Sequence, residues 1–236
     1  MTATALLPCV ELEPALPARS SVIWLHGLGA DGHDFEPIAP ELGLPREQAV
    51  RFVFPHAPPR PVALNGGMKM RAWFDLSNPD LGVGQDLDGL RASAAAVEAL
   101  IERENARGVP SPRIVLAGFS QGGALALYTA LRHAQPLAGA IALSTWLMGE
   151  VDLAPAACAA NARLPVFAAH GSQDPMVRVE RGRALVEWLR RRGHAVESAE
   201  YPIGHQVCLE EIHALGRWLA ARLGRTSLAA SERPRP

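Results

Sequence analysis

Residues 113–122 read Arg-Ile-Val-Leu-Ala-Gly-Phe-Ser-Gln-Gly, and an apolar helical pattern follows as far as Arg132. An apolar run enters a serine boxed between Gly118 and Gly122, and a helix leaves it. A strand that runs straight into a helix must turn sharply. The residue at the turn takes a strained backbone conformation, and its neighbours two positions away must be small to avoid a clash. Ser120 would then stand clear of a sheet at a helix N-terminus, where free N–H groups and the helix dipole stabilise negative charge. The competing reading is a glycine-rich turn that merely contains a serine. Gly-x-Ser-x-Gly alone is common by chance, so the strand before it and the helix after it carry the nucleophile reading.

Working outward from that turn, short apolar runs alternate with longer amphipathic ones. The pattern predicts strands at Cys9–Leu12, Val22–His26, Val50–Phe54, Arg71–Phe74, Ile114–Gly118, Gly139–Leu143, Val166–His170 and Val196–Tyr201. It predicts helices at Asp34–Leu42, Gln85–Arg107, Gln121–Arg132, Arg178–Arg192 and Gln206–Leu223. Strand–helix alternation implies one α/β domain over residues 1–224, with a mostly parallel central sheet and helices on both faces. The first two strands, separated by little chain, are expected to pair antiparallel. Phe54–Pro61 is too rich in proline for a helix or a central strand and reads as a rigid loop. The 144–165 connection is too short for a large lid, and residues 225–236 read as a frayed tail.

Composition excludes several functions. The chain has 236 residues, 48% hydrophobic and 20% charged, with a formal charge of −1. That balance gives no electrostatic footprint for nucleic acid or an anionic membrane. The basic run Arg190-Arg191-Arg192 ends a helical pattern, where it suits the helix dipole. Cys9, Cys158 and Cys208 are scattered and odd in number, which fits a reducing compartment better than a disulfide framework. No signal peptide or membrane span is readable, so a cytoplasmic location is expected. A homodimer is compatible with the sequence.

A serine hydroxyl needs a base within hydrogen-bond reach, and the base needs an orienting acid. In α/β hydrolases the order along the chain is Ser, then Asp or Glu, then His. Asp174 follows the strand ending at His170, in Gly-Ser-Gln-Asp-Pro; Asp152 also follows a strand, less tightly. Among the later histidines, His194 precedes a strand and His213 sits within a helix. His205 falls at the carboxyl end of the last strand, on the rim that Ser120 and Asp174 share, because parallel strands all end on one side of a sheet. Two backbone N–H groups should form an oxyanion hole: that of Gln121, after the nucleophile, and that of Leu28, in the Gly27-Leu28-Gly29 loop after an early strand.

Gly27-Leu-Gly-Ala-Asp-Gly32 also matches the dinucleotide fingerprint, which offers an NAD(P)-binding oxidoreductase as an alternative. That reading needs an acidic residue at the end of the next strand, where the chain has Phe54-Pro55-His56. An inactive binding module that kept the fold is a further alternative. No P-loop and no His-Glu-x-x-His signature occurs, so no cofactor and no metal are expected.

Residues 22–32, 118–123, His170-Gly-Ser-Gln-Asp-Pro-Met-Val177 and Gly204-His-Gln-Val-Cys208 together resemble the phospholipase/carboxylesterase family of α/β hydrolases, which includes acyl-protein thioesterases and small bacterial carboxylesterases. The resemblance runs from about residue 6 to residue 224. It implies Ser120 as nucleophile, Asp174 as acid, His205 as base, Leu28 and Gln121 as oxyanion donors, and an acyl channel using Trp146 and a loop near Met68–Leu76. Leu28, Met68, Leu76, Trp146, Met176 and Val207 all fall on loops at strand carboxyl ends and are expected to line an acyl groove. Core packing is the competing reading for Trp146, Met68 and Met70, and packing is the reading for Cys208. The expected activity is hydrolysis of small-molecule carboxylic esters, and of thioesters, with short-to-medium acyl chains through an acyl-enzyme. The alternative is an acyl-protein thioesterase or lysophospholipase acting on long chains.

Overall fold

The computed structural model describes residues 6–153 and 159–224; the expected tail at 225–236 and Cys158 lie outside them. Nine strands and four α-helices are formed among these residues. The strands are β1 (Cys9–Leu12), β2 (Ser20–Leu25), β3 (Val50–Pro55), β4 (Pro59–Val62), β5 (Met68–Arg71), β6 (Ile114–Phe119), β7 (Gly139–Leu143), β8 (Val166–Gly171) and β9 (Val196–Tyr201). The helices are α1 (Leu87–Ala106), α2 (Gln121–Arg132), α3 (Val179–Arg191) and α4 (Leu209–Leu223).

Seven strands form one sheet in the order β1-β3-β2-β6-β7-β8-β9, parallel except for β1. The period-2 geometry of a strand sends alternate side chains to opposite faces. Ile23, Leu25, Ile114 and Leu116 join the core beneath α1, α2 and α3, whereas Val22, Trp24, Val115 and Ala117 join the core beneath α4. Burial on both faces explains why β2 and β6 read as continuous apolar runs rather than alternating ones.

Four expectations change. β1 pairs with β3, with Val10 opposite Phe54, and not with β2. The Pro-containing link between Leu12 and Ser20 carries the chain across one strand position, so β2 lies on the far side of β3. The helix expected at Asp34–Leu42 is instead two 3-10 turns, Glu36–Ile38 and Pro40–Leu42; Pro37 and Pro40 remove the amide donors an α-helix needs there. The strand expected at Arg71–Phe74 lies earlier, at Met68–Arg71, and pairs with Pro59–Val62 in a separate hairpin. The stretch expected as a rigid loop at Phe54–Pro61 is divided: Phe54 and Pro55 end β3 in the central sheet, residues 56–58 are the link, and Pro59–Pro61 belong to the separate hairpin, whose prolines keep it out of the central sheet. Between β7 and β8 the described residues form only 3-10 turns, Glu150–Asp152 and Ala159–Asn161.

Strand order positions the site. β2 continues to β3 on one side, and β6 lies on the other, so the chain leaves these two neighbouring strands in opposite directions. A crevice opens at the carboxyl ends of strands at such a reversal. Leu25 pairs in register with Gly118, which brings the loop after β2 beside the turn after β6.

Candidate active site

Ser120 sits at the N-cap of α2 with φ 54° and ψ −122°, a conformation an L-residue adopts only under constraint. Its flanking glycines are explained by backbone contacts. A Cβ on Gly118 would lie 2.2 Å from the Gly122 carbonyl oxygen, and one on Gly122 would lie 2.2 Å from the Leu25 carbonyl oxygen. The turn is therefore wedged between β6, α2 and β2, and the packing that forces the strain also holds it. The Thr145 hydroxyl donates to the Ser120 carbonyl at 2.7 Å, and the Ser120 N–H donates to Leu143 O at 2.9 Å.

His205 lies between β9 and α4. Its Nε2 is 2.9 Å from Ser120 Oγ, and its Nδ1 is 2.6 Å from Asp174 Oδ2. A carboxylate only accepts, so Nδ1 carries the proton and Nε2 is left to accept from the serine hydroxyl. The imidazole packs at a tilt of 43° against the Phe119 ring, with centroids 4.7 Å apart, which limits its rotation. Asp174 is buried, and its Oδ1 accepts from the backbone N–H groups of Met176 and Val177 at 2.8 and 2.9 Å. One oxygen is thus committed to its own turn and the other faces His205. Gly171 admits the histidine loop: a Cβ there would lie 2.2 Å from Gly204 O.

Asp152, the other acid weighed from sequence, is engaged elsewhere. It accepts two bonds from Arg91, at 2.9 Å each, and one from Tyr128 Oη at 2.7 Å. Those partners, Arg91 foremost, hold its carboxyl down at about 2. His194 lies before β9, and His213 lies within α4.

Gln121 opens α2, so its backbone N–H has no acceptor one turn earlier within the helix. Its side chain has a second task that its position after the serine did not disclose. Oε1 accepts from Trp73 N–H at 2.9 Å, and Nε2 donates to Phe74 O at 2.8 Å. The Trp73 indole N–H in turn donates to His26 O at 2.9 Å, and Gly29 N–H donates to Arg71 O at 2.9 Å. Residues 71–74 therefore stitch the Gly27–Gly29 loop to the head of α2. His26 completes the stitching: Nε2 accepts from Ala57 N–H at 3.0 Å, which leaves Nδ1–H to donate to Gly27 O at 2.7 Å. Acceptance at Nε2 requires a neutral ring, and burial pushes its pKa down to about 4. His170 plays a similar part beside Asp174, donating through Nε2 to Val177 O at 2.7 Å.

The residues expected to line an acyl groove separate by depth. Met68 and Met176 are 65% and 70% exposed, Leu28, Leu76 and Val207 are half-buried, and Trp146 is only 2% exposed. Trp146 packs edge-on against Phe74, ring centroids 6.4 Å apart, within the core under α1 and α2.

The Gly27–Gly32 loop lacks the context that dinucleotide binding needs. It leads into 3-10 turns, and the first α-helix after β2 begins at Leu87. No helix N-terminus stands at the last glycine to receive a pyrophosphate. Gly32 is instead required by a close approach to Phe54 O, 2.4 Å from where a Cβ would lie.

A sharp serine turn at the switch point of a mostly parallel sheet, with acid and histidine on later strand ends, defines an α/β hydrolase. Residues 9–223 match the family described as Phospholipase/Carboxylesterase. Acyl-protein thioesterase 1 of Neurospora crassa is 37% identical over 222 residues, covering 90% of this chain and 91% of that protein. Acyl-protein thioesterase 1 of Mycosarcoma maydis is 40% identical over 215 residues, covering 85% and 90%. The crystal structure of Zea mays acyl-protein thioesterase 2 superposes with a TM-score of 0.82 at 30% identity, covering 92% of this chain and 99% of that one. The chain belongs to the phospholipase/carboxylesterase family of α/β hydrolases and is a hydrolase of acyl esters.

Proposed function

We propose that Ser120, His205 and Asp174 are the catalytic triad of a serine hydrolase that cleaves oxygen esters and thioesters through an acyl-enzyme. The observation that carries this reading is the unbroken chain from Ser120 Oγ through His205 to Asp174, at 2.9 and 2.6 Å. His205 Nε2 takes the hydroxyl proton as Oγ attacks the acyl carbon. The negative charge that develops on the carbonyl oxygen is received by the N–H groups of Leu28 and Gln121, each worth roughly a hundredfold or more in rate. His205 then returns its proton to the leaving alcohol or thiol, and a water, activated by the same nitrogen, releases the acid. No metal or cofactor enters these steps.

The acyl portion lies along Leu28, Met68, Leu76, Met176 and Val207, with Trp146 beneath. Because Trp146 is closed over by packing, the open surface favours short-to-medium chains. The acyl-protein thioesterases among its relatives favour the second reading, a longer acyl chain held as a thioester. No described helix is long and apolar enough to cross a membrane, and the scattered cysteines support a reducing, cytoplasmic setting.

A fluorophosphonate probe should add to Ser120, located by peptide mass mapping, and Ser120→Ala should abolish labelling. kcat/KM across matched ester and thioester series of increasing acyl length then identifies the preferred bond and chain. Labelling at Ser144 or Ser172 would sink the assignment.

A further inference from the structure

A cavity of about 720 Å3 lies between α3 and the strands β7, β8 and β9; neither Ser120 nor His205 lines it. It exists because the sheet there is floored by small side chains, Ala142 and Ala168 among them, beneath the turns of α3 that carry Leu185 and Val186. The first turn of α3 is held close to the sheet: a Cβ on Gly182 would meet His170 Nδ1 at 2.3 Å. Further along, Ala142 and Ala168 are only 2% and 5% exposed, so the space over the floor is narrow. The volume falls within the usual range for small-molecule sites, about 300–1,000 Å3.

The mouth of the cavity is charged and unequal in sign. Arg183, Arg190 and Arg191 face Glu187 and Glu200, an excess of one positive charge. Arg183 forks onto Glu200 at 2.7 and 2.6 Å, and Arg191 pairs with Glu187 at 3.1 Å. Arg190 donates to Ser198 Oγ at 3.0 Å and to Val196 O at 3.3 Å, both uncharged. It makes no ion pair among the described residues. An apolar floor beneath one uncompensated guanidinium is complementary to an amphiphile with an alkyl tail and a single planar anion.

We propose that this cavity binds a medium-chain carboxylate, with the alkyl chain on the alanine floor and the carboxylate on Arg190. Such carboxylates are the acid product of the hydrolysis described above, yet the inference does not depend on that chemistry, because binding is read without turnover. Two of the lining residues, Thr145 and His170, brace Ser120 and Asp174 respectively. An occupant would therefore touch the supports of the site rather than the site itself.

The test is calorimetric titration of laurate into the whole protein, repeated with Arg190→Glu and Ala168→Leu, alongside ester kcat/KM for each. Arg190→Glu, a surface change, should weaken laurate at least tenfold while leaving ester hydrolysis unchanged. Ala168→Leu should weaken it by filling the floor, and each methylene removed from the probe should cost about fourfold, from about 0.8 kcal/mol per buried methylene. If Ala168→Leu does not fold, Arg190→Glu decides alone. Absence of laurate binding, or equal affinity in the wild type and Arg190→Glu, overturns the proposal. Parallel loss of laurate binding and ester hydrolysis would also overturn it, because the laurate would then be in the active site. Fluorophosphonate labelling of Ser120 is read separately, so failure of the triad reading and failure of this one are distinguishable.

Discussion

His205 Nε2 stands 2.9 Å from Ser120 Oγ although 85 positions separate the two residues in the chain. Nothing local links them. Ser120 is placed by the end of β6 and His205 by the end of β9, three strands away at about 4.8 Å per strand. The loop 202–208 must reach back across β7 and β8 to make the bond. The close approach of Gly171 to Gly204 is the point at which it crosses.

Asp174→Asn should leave the fold intact and lower kcat by as much as ~10⁴-fold, by analogy with the serine protease triad, because the amide would present the wrong partner to Nδ1. Its backbone bonds to Met176 and Val177 use Oδ1, which an amide oxygen can replace. Asp152→Asn should leave kcat within a few-fold of wild type and lower stability through loss of the Arg91 pairing. Steady-state kinetics on both variants separate the two acids; a large kcat loss in Asp152→Asn alone would reverse the assignment.

Gln121→Leu keeps the backbone N–H but removes the partners of Trp73 N–H and Phe74 O. Each buried group left unpaired costs about 1–3 kcal/mol. The 71–74 segment should loosen from α2, and with it the Gly27–Gly29 loop. With Leu28 and Gln121 as the proposed oxyanion donors, the expected result is a fall in kcat well beyond any change in KM, since such donors act on the transition state. Equal effects on kcat and KM would mean that the bridge serves folding only.

Trp146→Ala should lower stability by about 3–5 kcal/mol, the usual cost of removing a large buried aromatic. If Trp146 also floors the acyl groove, the lost ring should shift the chain-length profile while acetate ester hydrolysis is kept, because acetate does not reach that depth. Chemical denaturation and kcat/KM on acetate and octanoate esters test both halves. Proportionate losses on the two esters would assign Trp146 to the core alone.

Glu211 should make the protein less stable as pH rises. Burial at the first turn of α4 pushes its pKa up to about 7, against a weaker opposing pull from the Cys208 N–H. Between the unfolded value near ~4.3 and about 7, the folded state holds a proton that the unfolded state has lost. Its contribution is therefore fully present below ~4.3 and is lost as pH rises through about 7, a swing of roughly 4 kcal/mol. Glu211→Gln should remove that swing and should be more stable than wild type at pH 8. Urea denaturation of the two proteins at pH 5 and pH 8 measures the difference; parallel curves would show that Glu211 finds a counter-charge in solution.

Much was written locally. The strand, the glycine-flanked serine and the α2 pattern specify the elbow, because the steric demand of the turn falls on residues two positions away. β7, β9 and α2 lie where periodicity placed them, and the candidate triad follows from the order of strand ends in a parallel sheet. Proline chemistry was legible only in part: residues 56–62 stay out of the central sheet, whereas Phe54 and Pro55 end β3 within it. The same chemistry at Pro37 and Pro40 replaces the helix expected at Asp34–Leu42 with two 3-10 turns.

What the tertiary structure decided are the relations that no local pattern encodes. β1 chose β3 over β2, because strand pairing depends on which edge is free and not on sequence distance. Asp174 and Asp152 differ in their partners: Asp174 faces His205, whereas Arg91 and Tyr128, from helices distant in sequence, engage Asp152. The side chain of Gln121, the ring of His26 and the backbone of residues 71–74 form one hydrogen-bonded brace, although their sequence signals are those of ordinary polar, aromatic and loop residues. Burial also divided Trp146 from Met68 and Met176, which a reading by loop position had grouped together. A residue's spacing predicts the face it takes within its own element, whereas its depth and its hydrogen-bond partners depend on chain that arrives from elsewhere.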